Sequence, residues 1–197
     1  MNRVIAFFDF DGTITSKDSL LEFIKYCKAR RAFYTGFLLH LPVLVAFKLK
    51  LLSNQRAKEI MFRYFFGEMP VEEFEQHCLD FSREEMPSMI RPKAWKEIRK
   101  LQESGAEIVI VSASPEDWLS HWCKLAGATC IATKLVVRDR KISGEIDGLN
   151  CHGREKVRRI REAYDLAGFS QIYCYGDTPG DRYMLSLGTY RFYKPFR

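Results

Sequence analysis

Hydrophobic residues follow two spacings along this chain. Short unbroken apolar runs lie at Arg3–Phe10, Glu107–Ser112 and Gln171–Tyr175, each closing on polar residues. Runs of this length and composition predict buried parallel strands. Between the first and second, Ser16 to about Arg91 reads as helical throughout, with breaks at Pro42, Gly67–Pro70 and Pro87. Beyond Pro92 the two spacings alternate. Ala94–Ser104 is predicted as an amphipathic helix stopped by Gly105, Pro115–Ala126 as a helix stopped by Gly127, and Arg154–Ala167 as a helix stopped by Gly168. Thr129–Thr133 reads as a short strand and Leu135–Asp147 as a β-hairpin with Asp139–Lys141 near its turn. A short helix after Pro179 and a strand near Tyr190–Tyr193 follow.

This alternation predicts an α/β fold, a mostly parallel Rossmann-like sheet covered by helices on both faces. The helical block of roughly 75 residues between the first two strands is too long for an ordinary crossover. It reads as an inserted helical cap, which divides the chain into a core of residues 1–14 and 92–197 and a cap of residues 15–91. In such sheets ligands bind beyond the carboxyl ends of the strands. Three strands end at polar residues, namely Asp9, Ser112 and Gly176–Asp177, and the topology brings all three to one rim.

Composition narrows the class. With 197 residues, 47% hydrophobic and 28% charged, the chain is folded and globular rather than disordered. Its six cysteines are scattered with no CxxC pair. A disulfide framework or a zinc site is not expected, and a reduced cytoplasmic setting is. The Val4–Phe8 run is too short for a signal-peptide core. The net charge of +6 is local. Lys25, Lys28, Arg30, Arg31, Lys48, Lys50, Arg56 and Lys58 against Glu22 and Glu59 place 8 − 2 = +6 between Glu22 and Ile60. Such a block suits nucleic acid, an anionic membrane or a solvated face.

Asp9-Phe10-Asp11-Gly12-Thr13 ends the first strand. Strand alternation would project Asp9 and Asp11 to one side, where a divalent cation relieves their repulsion and hard oxygens suit magnesium. Gly12 lets the chain turn sharply. Ser112-Ala113-Ser114 precedes a helix, so a hydroxyl and backbone N–H groups there can cradle phosphate. Ser112 is expected to bind phosphate and Ser114 to cap the helix. In Tyr175-Gly176-Asp177-Thr178-Pro179-Gly180-Asp181, Asp177 and Asp181 are four apart with glycines that allow close backbone approach, and Asp177 could join the Asp9–Asp11 pair on a metal, although these residue types also make surface turns. Arg154, Lys156 and Arg158 compete for the role of the cation that balances acids and phosphate. His152 is a less specific candidate.

DFDGT at Asp9–Thr13, a helical block, a strand ending in Ser112, then Lys156 and GDTPGD at Gly176–Asp181 stand in the order of a haloacid dehalogenase superfamily phosphatase, which the whole chain resembles. The resemblance implies Asp9 as nucleophile, Asp11 as acid/base, Ser112 and Lys156 as phosphoryl binders, and Asp177 and Asp181 as metal-site acids beside Asp9 and Asp11. It implies Mg2+ as cofactor and substrate contacts at Gly12, Thr13, Ala113 and Asp18. Within the superfamily the chain is most similar to the phosphoserine-phosphatase-like branch (subfamily IB). There it resembles the group that includes phosphatidylglycerophosphatase C, through Cys151, Gly153, Lys156 and the apolar start of the cap. It departs from phosphoserine phosphatases at Gly12, where they usually carry serine, and at Asp18, where they usually carry glutamate.

The cap bears on the substrate. Ala32–Phe47 is an uncharged stretch of 16 residues, short of the ~20 that span a bilayer. Pro42 would kink it. Its basic flanks suit an interfacial helix pair on anionic lipid, or equally a cap core with a solvated edge. The expected substrate is a small phosphomonoester or a lipid phosphate such as phosphatidylglycerophosphate. A soluble phosphoamino acid or nucleotide, or a non-catalytic phosphate- or membrane-binding module, are the alternatives. No nucleic-acid partner is expected. The cytoplasm, with peripheral contact at the inner face of the membrane, is the expected location.

Overall fold

The computed structural model describes residues 3–197, so the start of the segment 1–14 lies outside the described residues. Strand β1 (Val4–Phe8) leads through a tight turn at Phe10–Ile14 into α1 (Ser19–Cys27), α2 (Arg30–Leu39), α3 (Leu41–Lys48), α4 (Asn54–Phe66), α5 (Val71–Glu84) and α6 (Met86–Met89). Next come α7 (Pro92–Glu103), β2 (Glu107–Pro115), α8 (Glu116–Ala126) and β3 (Thr129–Thr133). A ribbon of β4 (Leu135–Arg138) and β5 (Lys141–Ile146) precedes α9 (Arg154–Ala163), β6 (Gln171–Gly176), α10 (Arg182–Leu185) and β7 (Tyr190–Tyr193).

The sheet order is β3-β2-β1-β6-β7, and every pairing in it is parallel. Alternation along the strands sorts the core into two layers. Ile5, Phe7, Val109 and Val111 pack with Ile160 and Met184, whereas Ala6, Phe8, Ile108 and Ile110 pack with Ile98, Trp118 and Leu119. Both faces are dry, which is why these strands read as continuous apolar runs. The Asp9 N–H donates to the Tyr175 carbonyl at 2.9 Å, fixing the ends of β1 and β6 together.

Several boundaries differ from the sequence reading. The β2 strand runs on to Pro115 after a register shift beyond Ser112, and α8 begins at Glu116 with Pro115 before it. Ser114 therefore does not cap the helix. The α9 helix stops at Ala163 rather than Ala167, where Tyr164 turns extended and sets its ring edge-on to Phe7 at 5.9 Å. Around Pro42 the break falls at His40, and Pro42 sits in the first turn of α3, where a missing N–H costs nothing. The predicted hairpin is present as β4–β5, and its turn residues Asp139 and Arg140 are both left-handed, at φ 49° and 59°.

The helices inserted after β1 share the core of one sheet face. Phe23 of α1 packs against Phe66, Phe74 and Phe81 and stacks on Trp118 of α8 at 4.5 Å. The α4–α5 connection pairs with the ribbon through Glu68 N–H to Ile142 O (3.0 Å), Ile142 N–H to Met69 O (2.9 Å) and Val71 N–H to Arg140 O (2.9 Å). By contrast, no side chain of α3 is fully buried, and Leu44 is only half-buried against the core. Leu38 and Leu39 at the end of α2 are 70% and 67% exposed. Among the described residues no helix is long and apolar enough to cross a membrane.

Candidate active site

The site forms where β1, β2 and β6 end. Asp9 follows β1 in extended conformation and is buried. Gly12 then turns the chain at φ 78°, and a Cβ there would stand 2.6 Å from Asp177 Oδ2. Both the backbone conformation and the close approach demand glycine. The turn brings Thr13 back, so its hydroxyl lies within hydrogen-bonding distance of Asp9 Oδ2 (2.9 Å) and Asp177 Oδ1 (3.2 Å). Thr13 thus ties the carboxylates together from a buried position.

Asp9, Asp177 and Asp181 each present an oxygen within 4.8 Å of the others, and all are buried. Lys156 Nζ bridges two of them, donating to Asp9 Oδ1 at 2.6 Å and Asp181 Oδ1 at 2.7 Å. The geometry separates the three competing cations. Lys156 is buried in the cluster, Arg154 lies over the Tyr183 ring, and Arg158 pairs with Glu155 and Glu162. The guanidinium of Arg197 donates to Asp177 Oδ2 from the solvent side. Asp181 Oδ2 accepts from Thr178 N–H (2.9 Å) and Thr178 Oγ1 (2.7 Å), which leaves Asp181 fully engaged as a brace for Lys156.

The Asp11 carboxylate is not in this cluster, contrary to the expectation that it ligates metal beside Asp9. The strand ends at Phe8, so strand alternation no longer governs the next residues. Asp11 instead accepts from Ser114 Oγ at 2.5 Å and Ser19 N–H at 2.7 Å. Ser112, also buried, accepts from Ser114 N–H at 3.0 Å. Of Ala113, the structure engages the carbonyl, which accepts from Lys58 Nζ at 2.8 Å and Thr133 Oγ1 at 2.9 Å. Asp18 is exposed and caps α1, accepting from Leu21 N–H at 3.0 Å.

Charge is concentrated here. Burial pushes Asp9 up to about 7 against the pull of Lys156, and the negative charge of Asp181 adds to the rise. Burial also raises Asp11, to about 6, with the charge of Asp18 next in size. Burial alone would lower Lys156, yet Asp9 and Asp181 hold it above the ordinary lysine range. The cluster fits a hard dication: its donors are all carboxylate oxygens, and three acids share one buried ammonium. Arg197 already sets a cation against Asp177.

Sequence reasoning did not assign Ser114 to Asp11, Lys58 to the rim or Arg197 to Asp177. Ser114 stands two residues after Ser112, but the register shift of β2 between Ser112 and Pro115 breaks the regular alternation there, so the spacing alone did not place it. Lys58 was one of many basic cap residues, and nothing local marked it or Arg197.

The family description of haloacid dehalogenase-like hydrolases matches residues 6–186. The chain is 34% identical to protein CicA of Caulobacter vibrioides, over 98% of this chain and 87% of that one. A probable phosphatase of Mycobacterium tuberculosis is 30% identical over 88% of this chain and 61% of its own length. The solved structure of a substrate-bound phosphoserine phosphatase superposes with a TM-score of 0.70 at 16% identity, covering 98% of this chain and 86% of that one. At that identity the likeness concerns the fold.

Proposed function

The chain belongs to the haloacid dehalogenase-like hydrolase family and is a phosphatase of that family, and from this we propose that it hydrolyses phosphomonoesters with Mg2+ through a phosphorylated Asp9. The observation that carries this reading is the division of labour between two neighbouring acids. Asp9 lies in the buried cluster against Lys156, while Asp11 lies outside it on Ser114 and Ser19. Acids held in such different settings suit nucleophile and proton carrier.

In the proposed reaction an Asp9 oxygen attacks phosphorus and the ester P–O bond breaks. Asp11 gives its proton to the leaving oxygen. Water then attacks the phosphorus of phospho-Asp9, Asp11 takes the proton, and inorganic phosphate leaves with the Asp9 carboxylate restored. Lys156 and Ser112 hold phosphoryl oxygens, and Asp181 keeps Lys156 in place. Asp9 and Asp177 would hold magnesium, with Asp181 behind them, and the ion would supply neutralising charge to the phosphoryl group. Residues 1–14 and 92–197 serve as the catalytic core and residues 15–91 as the cap that limits water at the site.

Finer still, we place the chain in the phosphoserine-phosphatase-like branch (subfamily IB), near the phosphatidylglycerophosphatase C group, with a lipid phosphate as substrate. Support comes from the uncovered apolar side chains of α2–α3 and their basic flanks. The first test is turnover of p-nitrophenyl phosphate. Asp9→Asn should lose at least about 10³-fold in kcat, in line with removal of a catalytic nucleophile, and excess chelator should silence the wild type until magnesium is restored. An Asp9→Asn rate within tenfold of wild type, or activity indifferent to chelator, overturns the assignment.

A further inference from the structure

We propose that a cavity inside the cap is the subsite for a hydrocarbon portion of the substrate's leaving group, resting on the phosphatase reading above. The cavity has a volume of about 190 Å³ and lies among four helices. Ile24 of α1, Phe37 of α2, Leu44 and Phe47 of α3 and Met61 of α4 line it. Its polar lining is Asp18, Asn54 and Lys58.

Two of those polar residues connect it to the chemistry. Lys58 Nζ donates to the carbonyl of Ala113, which stands between Ser112 and the Ser114 that holds Asp11. Asp18 precedes Ser19, whose N–H donates to Asp11 at 2.7 Å. A proton donor to the leaving oxygen must stand on the leaving group's side of phosphorus. The cavity meets Asp11's supports through the neighbours of these two residues, Ser19 beside Asp18 and Ala113 beneath Lys58, and so lies on that side too. A small polar leaving group would find only apolar side chains beyond Asp18, Asn54 and Lys58, whereas an alkyl or acyl chain would find its match. Pockets for whole drug-sized ligands run to about 300–1,000 Å³, so this one takes a segment of a single chain. The remainder of a larger amphiphile continues onto the exposed side chains of the same helices, since Leu21 and Phe47 both line the cavity and are 37% and 39% exposed.

The test uses soluble straight-chain alkyl phosphates, from ethyl to octyl, below their aggregation limits, with p-nitrophenyl phosphate as the check on phosphatase activity itself. Each methylene that enters the cavity should raise kcat/KM about fourfold, the worth of one buried methylene, until the series levels off. Leu44→Trp, at a half-buried position, fills the cavity and should bring the octyl-to-ethyl ratio down by at least about tenfold. Calorimetric binding of octylphosphonate against ethylphosphonate to the wild type gives the same comparison without turnover or a variant. A flat series and equal phosphonate affinities, with p-nitrophenyl phosphate still hydrolysed, overturn the subsite and leave the phosphatase reading intact. An undiminished octyl preference in a folded Leu44→Trp overturns it as well. Absence of all turnover strikes the phosphatase reading, and the phosphonate pair then decides the cavity by itself.

Discussion

Asp9 and Asp11 are two residues apart, yet each is held by a different part of the molecule. Asp9 is fixed from α9 by Lys156 and from its own turn by Thr13. Asp11 is fixed from β2 by Ser114 and from α1 by Ser19. The Ser114 hydroxyl is therefore a positioning group, one step removed from the proposed proton transfer. Hydrogen bonds to charged groups are worth about 1.5–3 kcal/mol, so Ser114→Ala should lower kcat by about 10–100-fold while KM for p-nitrophenyl phosphate changes little. Ser114→Thr, which keeps the hydroxyl, should recover most of the loss. Equal kcat for wild type and the alanine variant would show that Ser19 suffices to hold Asp11.

At the scale of elements, α9 delivers the buried ammonium, and its first turn is anchored by Glu155. That carboxylate accepts from Arg158 Nη2 at 2.6 Å and Arg159 Nε at 2.8 Å, and Arg159 continues to the Ala132 and Leu149 carbonyls. The fork from Arg158 is the main reason Glu155 falls to about 2 from an ordinary 4.5. A depressed carboxylate stabilises the fold above its unfolded value and ceases to do so as pH falls through the folded one. Glu155→Gln should thus melt below wild type at pH 7, by about 2–4 °C for each kcal/mol lost. The gap should close between about pH 4.5 and 2. A gap independent of pH would mean that packing, not charge, sets the effect. The elements also show what the sequence made legible. β1, β2 and β6 were readable because both faces of each are buried, and the polar residues at their ends, Asp9, Ser112 and Asp177, mark the rim. The paths of Asp11 and Ser114 were not readable, because the end of β1 and the register shift in β2 arise from tertiary pairing rather than residue type. Lys58 and Arg197 reach the rim across large sequence separations, which no local pattern reports.

At the scale of the whole molecule, one face is both apolar and basic. Tyr34, Leu38, Leu39, Leu41, Val45, Phe47, Leu49 and Leu51 are all exposed on or just after α2 and α3. Arg30, Arg31, Lys48 and Lys50 flank them, within the segment that carries the chain's entire net charge of +6. The sequence left two readings of this stretch, a buried cap core or an interfacial pair. The cap core is built mostly from Phe23, Phe62, Phe66, Phe74 and Phe81, to which this stretch adds only Phe33, with Phe37 and Leu44 partly buried against it. Exposed apolar groups ringed by cations suit the boundary of an anionic bilayer, where each basic residue contributes about 1 kcal/mol and salt weakens it. The protein should co-sediment with vesicles containing phosphatidylglycerol at low salt and less so at high salt. Leu38→Glu, at a position 70% exposed and so harmless to packing, should weaken binding at both salt concentrations, because it places a charge in the inserting face and repels the lipid surface. Vesicle binding should also raise turnover of a lipid phosphate dispersed in the same bilayer over the same lipid presented in neutral detergent. A protein that stays in the supernatant at low salt, and hydrolyses both presentations equally, has no membrane role for this face.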